Sequence, residues 1–181
     1  MFPLCVVSGC NFHFQQCLWR EVQRLGMVTE YRDFTEVRRH IRMCAALAYL
    51  PPENVDDGWL SIMEASPVSE NICKFNDYMI EQWLENAIFT DTWNCYQQRH
   101  RTTNALEGWH SKFNKCVQKV HPNIIELISL LKSDSRHYDI QRSRARLNIP
   151  AKKRSKKYNE IDNIISKTLR DFCSGHIDYL Y

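Results

Sequence analysis

No run in this chain approaches the roughly 18 apolar residues that a membrane span takes, so no transmembrane helix and no membrane partner are expected. No basic leader precedes its apolar start. Phe2-Pro3-Leu4-Cys5-Val6-Val7-Ser8-Gly9 is short and interrupted by Pro and Gly, which does not fit a secretion signal. Net charge is small as well: 24 Lys and Arg stand against 21 Asp and Glu, a balance of +3. That total is too mild to announce a nucleic-acid binder. Neither an internal repeat nor a low-complexity tract is present, and no Asp or Glu occurs before Glu21. At 181 residues the chain is long enough for one domain with a real core.

What is there is unevenly distributed. Arg136, Arg142, Arg144, Arg146, Lys152, Lys153, Arg154, Lys156 and Lys157 share a span with one acid, Asp139, which makes a local basic field. Eight cysteines, Cys5, Cys10, Cys17, Cys44, Cys73, Cys95, Cys116 and Cys173, are scattered through helical, core-rich sequence rather than framed as disulfide pairs. They are expected to be mostly buried thiols in a reducing compartment.

Helical periodicity dominates. Leu4 to Val7, between Pro3 and Gly9, is the one good strand candidate, and it has no ladder partner. Phe14, Leu18, Val22 and Leu25 predict a helix capped by Gly26. Asp33 and Glu36 have capping-box spacing ahead of a helix bearing Val37, Ile41, Cys44, Ala45 and Ala48, which Pro51-Pro52 stops. Val55, Trp59, Ile62 and Met63 predict a short helix ending at Ser66-Pro67, and Ile72, Phe75, Tyr78, Met79 and Trp83 a longer one. A helix from about Asn104 to Gln118 carries Leu106, Trp109, Phe113 and Val117. After His121-Pro122 another begins near Asn123 with Ile124, Ile125, Leu127, Ile128 and Leu131, and its stripe fades into charge. Pro150 to Lys157 reads as a linker, followed by an amphipathic helix with Ile161, Ile164, Ile165, Leu169 and Phe172.

Three groups of residues carry candidate chemistry. In Arg101-Thr102-Thr103-Asn104-Ala105-Leu106-Glu107-Gly108-Trp109-His110, Asn104 as N-cap would put Glu107 at the third helical position, where a glutamate completes a capping box and favours the helix dipole. Cys10 and His13 form a C-x2-H pair, half of a zinc site, with Cys95 and His100 the nearest second pair. A closed structural site takes four ligands at conventional spacing, so core packing is the expectation for the pair. Trp19, Trp59, Trp83, Trp93 and Trp109 could stack on bases, but their helix-face spacing favours the core; Trp109 stands apart for its closeness to Glu107. The Lys152-Lys153-Arg154-Ser155-Lys156-Lys157 cluster reads equally as a phosphate contact, a nuclear import signal or a solvated linker.

Taken in order, Phe2-Pro3, Gly9-Cys10-Asn11-Phe12-His13-Phe14-Gln15-Gln16, Ala46-Leu47-Ala48-Tyr49-Leu50-Pro51, Trp83, Arg101 to Asn104 with Glu107-Gly108-Trp109-His110, and His121-Pro122-Asn123 resemble the C-terminal half of the Mutator-like element (MULE) transposase domain over about Phe2 to Leu131. The resemblance implies a mainly α fold: the helical insertion and C-terminal helices of a truncated ribonuclease H-like transposase, with at most one or two short N-terminal strands. It divides the chain into 1–33, a remnant of the ribonuclease H-like core; 34–100, the helical insertion; 101–147, the Glu-bearing helix and the long helix after it; and 148–181, basic linker and terminal helix. It makes Glu107 the third acid of a triad whose other members are two aspartates, holding Mg or Mn for DNA cleavage and strand transfer. Those two aspartates belong on strands ahead of Phe2, so the chain is expected to be a fragment inactive by itself, with no cofactor of its own. The alternative is a domesticated helical DNA- or protein-binding module. Either way DNA is the expected partner, contacted by Arg101, Trp109, Lys152, Lys153, Arg154, Lys156 and Lys157, with self-association and a nuclear, otherwise cytoplasmic, location.

Overall fold

A computed structural model of the chain describes residues 8–85, 92–98, 100–117, 121–149 and 155–178. All regular structure among them is helical: α1 Asn11–Arg24, α2 Val28–Asp33, α3 Thr35–Ala46, α4 Val55–Glu64, α5 Glu70–Met79, α6 Asn104–Cys116, α7 Ile124–Arg146 and α8 Lys156–Cys173. Two 3-10 turns, Leu47–Tyr49 and Pro52–Asn54, join α3 to α4, and a π-helical turn, Ile80–Leu84, extends α5. The mainly α class stands on these helices; the expected strand over Leu4 to Val7 lies outside the described residues. The chain forms two compact units, Met1–Thr102 with Asn163–Tyr181, and Thr103–Asp162.

The first unit owns the hydrophobic core. Phe14, Leu18 and Val22 recur every four residues along α1, so one stripe of the helix goes inward. α3 contributes Val37, Ile41 and Cys44, α4 contributes Val55, Trp59 and Ile62, and α5 contributes Ile72, Phe75 and Met79. Full burial of each large side chain stabilises by about 1.5–3 kcal/mol relative to leaving it in water. Phe14 is central, edge-on to Trp83 at 4.8 Å and stacked on Trp93 at 4.9 Å between ring centroids.

The end of α1 shows how local sequence stops a helix. Gly26 adopts φ +71°, a left-handed conformation that costs glycine nothing sterically. Its N–H donates to Gln23 O, and the Met27 N–H reaches back to Val22 O. This is a Schellman ending, and its hydrophobic partners Val22 and Met27 are both fully buried.

Asp33 corrects the expected start of the next helix. It is the last residue of α2, a six-residue helix the periodicity did not reveal, and its carboxylate accepts from the Arg32 guanidinium at 2.8 Å. The N-cap of α3 is Phe34, in extended conformation, so Asp33 and Glu36 do not form a capping box. The physical reason is that Asp33 is itself helical and its oxygens are already engaged.

Residues 92–95 cross the first unit as a strap. The Gly9 N–H donates to Thr92 O at 2.6 Å, and a Cβ on Gly9 would stand only 2.7 Å from that oxygen, so the approach needs glycine. The Cys95 N–H donates to Ala48 O, Asn94 Nδ2 to Leu50 O, and Trp93 Nε1 to Trp83 O. One buried polar chain completes the unit: His40 Nε2 lies 2.7 Å from Asn76 Oδ1, and Asn76 Nδ2 donates to Ser66 Oγ.

The second unit is built differently. None of its described residues is buried. Asn123 Oδ1 accepts from the Glu126 N–H at 2.8 Å while Glu126 Oε2 accepts from the Asn123 N–H, a complete capping box that launches the 23 residues of α7. Glu126, Leu127, Leu130 and Asp134 are the half-buried positions of α7.

The thiols also depart from expectation. Among the described cysteines only Cys44 and Cys95 are buried, whereas Cys73, Cys116 and Cys173 are exposed. On α5 the inward stripe is taken by Ile72, Phe75, Asn76 and Met79, which leaves Cys73 on the outer surface.

Candidate functional site

Glu107 occupies the first turn of α6. Its backbone N–H donates to Thr103 O at 2.9 Å, which makes Thr103 the N-cap and moves Glu107 from the expected third helical position to the fourth. Asn104 is therefore the first helical residue, and the expected Asn104–Glu107 capping box is not formed. Instead the Thr103 hydroxyl donates to Glu107 Oε1 at 2.9 Å. The carboxylate is thus steered by one hydroxyl and otherwise exposed.

Trp109, two residues on, is half-buried. Its ring stacks on Phe113 with centroids 5.3 Å apart, and its indole N–H donates to Asp134 Oδ2 at 2.6 Å. Asp134 also receives Lys112 Nζ at 3.8 Å, and its side chain is only 16% exposed. These contacts link α6 to α7. One face of the Trp109 ring is therefore covered and its donor used. Beside it Lys112, Phe113, Cys116, Leu130, Ser133, Asp134 and His137 line a cavity of about 210 Å³. Asp134 and its neighbours were missed in the sequence, yet a signal exists: Asp134 follows Leu127 and Leu130 on one helical face, so an acid interrupts an apolar stripe.

Arg101 belongs to the first unit. Its carbonyl accepts from the Asn11 N–H at 2.8 Å, its guanidinium carbon stands 6.0 Å from the Tyr49 ring centroid, and Nη1 donates to Gln98 O. Asn11 Nδ2 in turn donates to Tyr49 Oη at 2.8 Å. Arg101 thereby ties the start of α1 to the turn after α3, and burial pushes the Tyr49 phenol above its ordinary pKa.

Cys10 is the half-buried N-cap of α1, and His13 is exposed with its ring edge-on to Phe12. Cys95 is buried, its pKa pushed up to about 11 by burial, against which the nearby Arg101 pulls only partly. Among the described residues no three His, Cys, Asp or Glu side chains are grouped to hold a metal ion. Glu107 as it stands is a single carboxylate, which does not fit a two-metal clamp.

Of the basic cluster, Lys152, Lys153 and Arg154 lie outside the described residues. Lys156 and Lys157 are exposed in the first turn of α8, so the helix begins within what reads as linker. Arg136, Arg142, Arg144 and Arg146 all lie on α7 and are exposed. No described helix is long and apolar enough to cross a membrane. Comparison of the chain with protein-family models, with curated proteins and with solved structures finds no match.

Proposed function

We propose that this chain is the C-terminal part of a MULE-type transposase domain of ribonuclease H-like ancestry, retained as a DNA-binding piece rather than as an enzyme in itself. The observation that carries the reading is Glu107: an exposed carboxylate in the first turn of α6, steered by Thr103 and directly following the Arg101-Thr102-Thr103-Asn104 segment on which the family resemblance rests. In the parent activity, Mg- or Mn-dependent cleavage and strand transfer, it would be the third acid beside two aspartates. The helices of residues 34–100 correspond in this reading to the family's helical insertion. A nuclear location follows from the DNA partner, with Lys152 to Lys157 as import signal or phosphate contact. Self-association is in keeping with the way transposases work.

The second reading, a helical DNA-binding module with no catalytic role, is favoured by the charge. The unit Thr103–Asp162 holds 13 Lys and Arg against 6 Asp and Glu, a net of +7, whereas the other unit holds 11 against 15, a net of −4. Both readings are tested by one assay of duplex-DNA binding and nicking with Mg²⁺, Mn²⁺ or EDTA. Binding that is indifferent to EDTA, with no cleavage and no effect of Glu107→Gln on affinity, is the expected result. Metal-dependent nicking abolished by Glu107→Gln would make the chain an enzyme in its own right. No binding to DNA at about 50 mM salt, where phosphate contacts are strong, would overturn both readings.

A further inference from the structure

From its third turn onward α7 carries Lys132, Arg136, Arg142, Arg144 and Arg146. At 100° per residue, Lys132, Arg136, Arg142 and Arg146 fall within about 120° of arc, with Ser135, Asp139 and Ser143 between them. That arc lies opposite the half-buried Leu127, Leu130 and Asp134, the last of which contacts Trp109 and Lys112 of α6. All four basic residues are exposed, and Asp139 is the one acid among them. From Lys132 to Arg146 the stripe runs about 21 Å along the helix at 1.5 Å per residue.

We propose that this solvent face of α7 binds the phosphate backbone of duplex DNA. The inference deepens the DNA reading above and rests on it. Three of the four residues are arginines, whose planar fork matches phosphate oxygens in pairs. Ser135 and Ser143 add hydroxyls of the kind that reach phosphates. A duplex presents one negative charge per about 1.7 Å of axis, so a rigid 21 Å row of cations meets several phosphates at once. An anionic membrane is the poorer partner. A surface-binding helix needs a continuous apolar face opposite its cations, and here the other positions from Ser133 to Ala145 are Ser133, Asp134, His137, Gln141, Arg144 and Ala145, with Tyr138 and Ile140 on widely separated sides. Only backbone contact is argued, so the binding carries no sequence preference.

The test uses the full chain and a 20-residue-scale DNA duplex of arbitrary sequence, with affinity followed by fluorescence anisotropy over a salt series. Arg136→Gln/Arg142→Gln/Arg146→Gln, at exposed helical positions where glutamine is a good helix former, is expected to weaken binding equally for unrelated sequences. It should also lower the slope of log affinity against log salt by about 3, at roughly 0.9 per lost phosphate contact. The charge-keeping triple Lys variant at the same positions should retain most of the slope, and circular dichroism should show unchanged helix in both. If the chain binds DNA but the Gln variant keeps the full slope, while Lys152→Gln/Lys153→Gln/Arg154→Gln loses it, the α7 assignment is overturned and the DNA reading survives. If the unaltered chain binds no duplex DNA, the DNA reading itself has failed. Capture by phosphatidylserine vesicles in preference to DNA, or a strong preference for duplex RNA, also overturns the proposal.

Discussion

The two compact units of this chain spend their residues in opposite ways. The unit Met1–Thr102 with Asn163–Tyr181 holds every buried hydrophobic side chain among the described residues and a net charge of −4; Thr103–Asp162 has no buried described residue and a net charge of +7. The first is a core built by interlocking helical stripes. The second displays helices, with Ile124, Ile125, Ile128 and Leu131 exposed on the opening turns of α7 and arginines on the closing ones. Buried core and net positive charge thus lie on different stretches of the chain. The modest total of +3 averages over that division and conceals it.

The comparison can be broken hardest at Phe75, which is fully buried. Phe75→Ala should cost about 3–5 kcal/mol through lost transfer energy and a residual cavity, read as a large drop in denaturant midpoint. Leu131→Ala, at a site 43% exposed, should stay within about 0.5 kcal/mol. Equal effects of the two changes would show that the second unit has a core after all.

A smaller effect tests the polar contact that takes the place of a core in the second unit. Trp109→Phe keeps an aromatic face for Phe113 but removes the donor to Asp134, and should cost about 1–2 kcal/mol, near the low end for a bond to a charged group because Asp134 keeps some solvent. Hydrogen exchange along α6 should rise in this variant, and protection unchanged there would mean that the indole–carboxylate bond does not hold the helix.

The smallest effect is a pH dependence confined to the core-bearing unit. Burial lowers the His40 pKa from 6.5, and the hydrogen bond that His40 donates to Asn76 Oδ1 offsets this only in part. The unfolded chain therefore binds a proton more readily than the folded one, so the contribution of neutral His40 is complete above about 6.5 and declines as pH falls below that value. Thermal unfolding measured at stepped pH should show this decline in the natural chain and a flatter profile in His40→Gln; parallel profiles would assign the dependence to other groups.

Much of the first unit was legible because burial leaves a period in the sequence. Phe14, Leu18 and Val22, then Val37, Ile41 and Cys44, then Ile72, Phe75 and Met79 mark their helices at the spacing of the α-helix, and Gly26 marks a stop. α2 escaped notice because six residues with none buried cannot show a stripe. The candidate site was less legible. Thr102, Thr103 and Asn104 are all acceptable caps, and only the bond from the Glu107 N–H to Thr103 O decides among them. Arg101 is expected from the sequence as a DNA contact, whereas its carbonyl accepts from the start of α1 and its guanidinium lies over Tyr49.

The sequence by itself therefore determined that this protein is helical, which stripes can go inward and where the cations are concentrated, since propensity, periodicity and charge are properties of neighbours along the chain. Only the tertiary structure decided that Cys73, Cys116 and Cys173 face water, that Trp109 is committed to Asp134, and that the face shared by Arg136, Arg142 and Arg146 is exposed. Those outcomes depend on which side of each helix finds a partner, and a partner distant in sequence leaves no local trace.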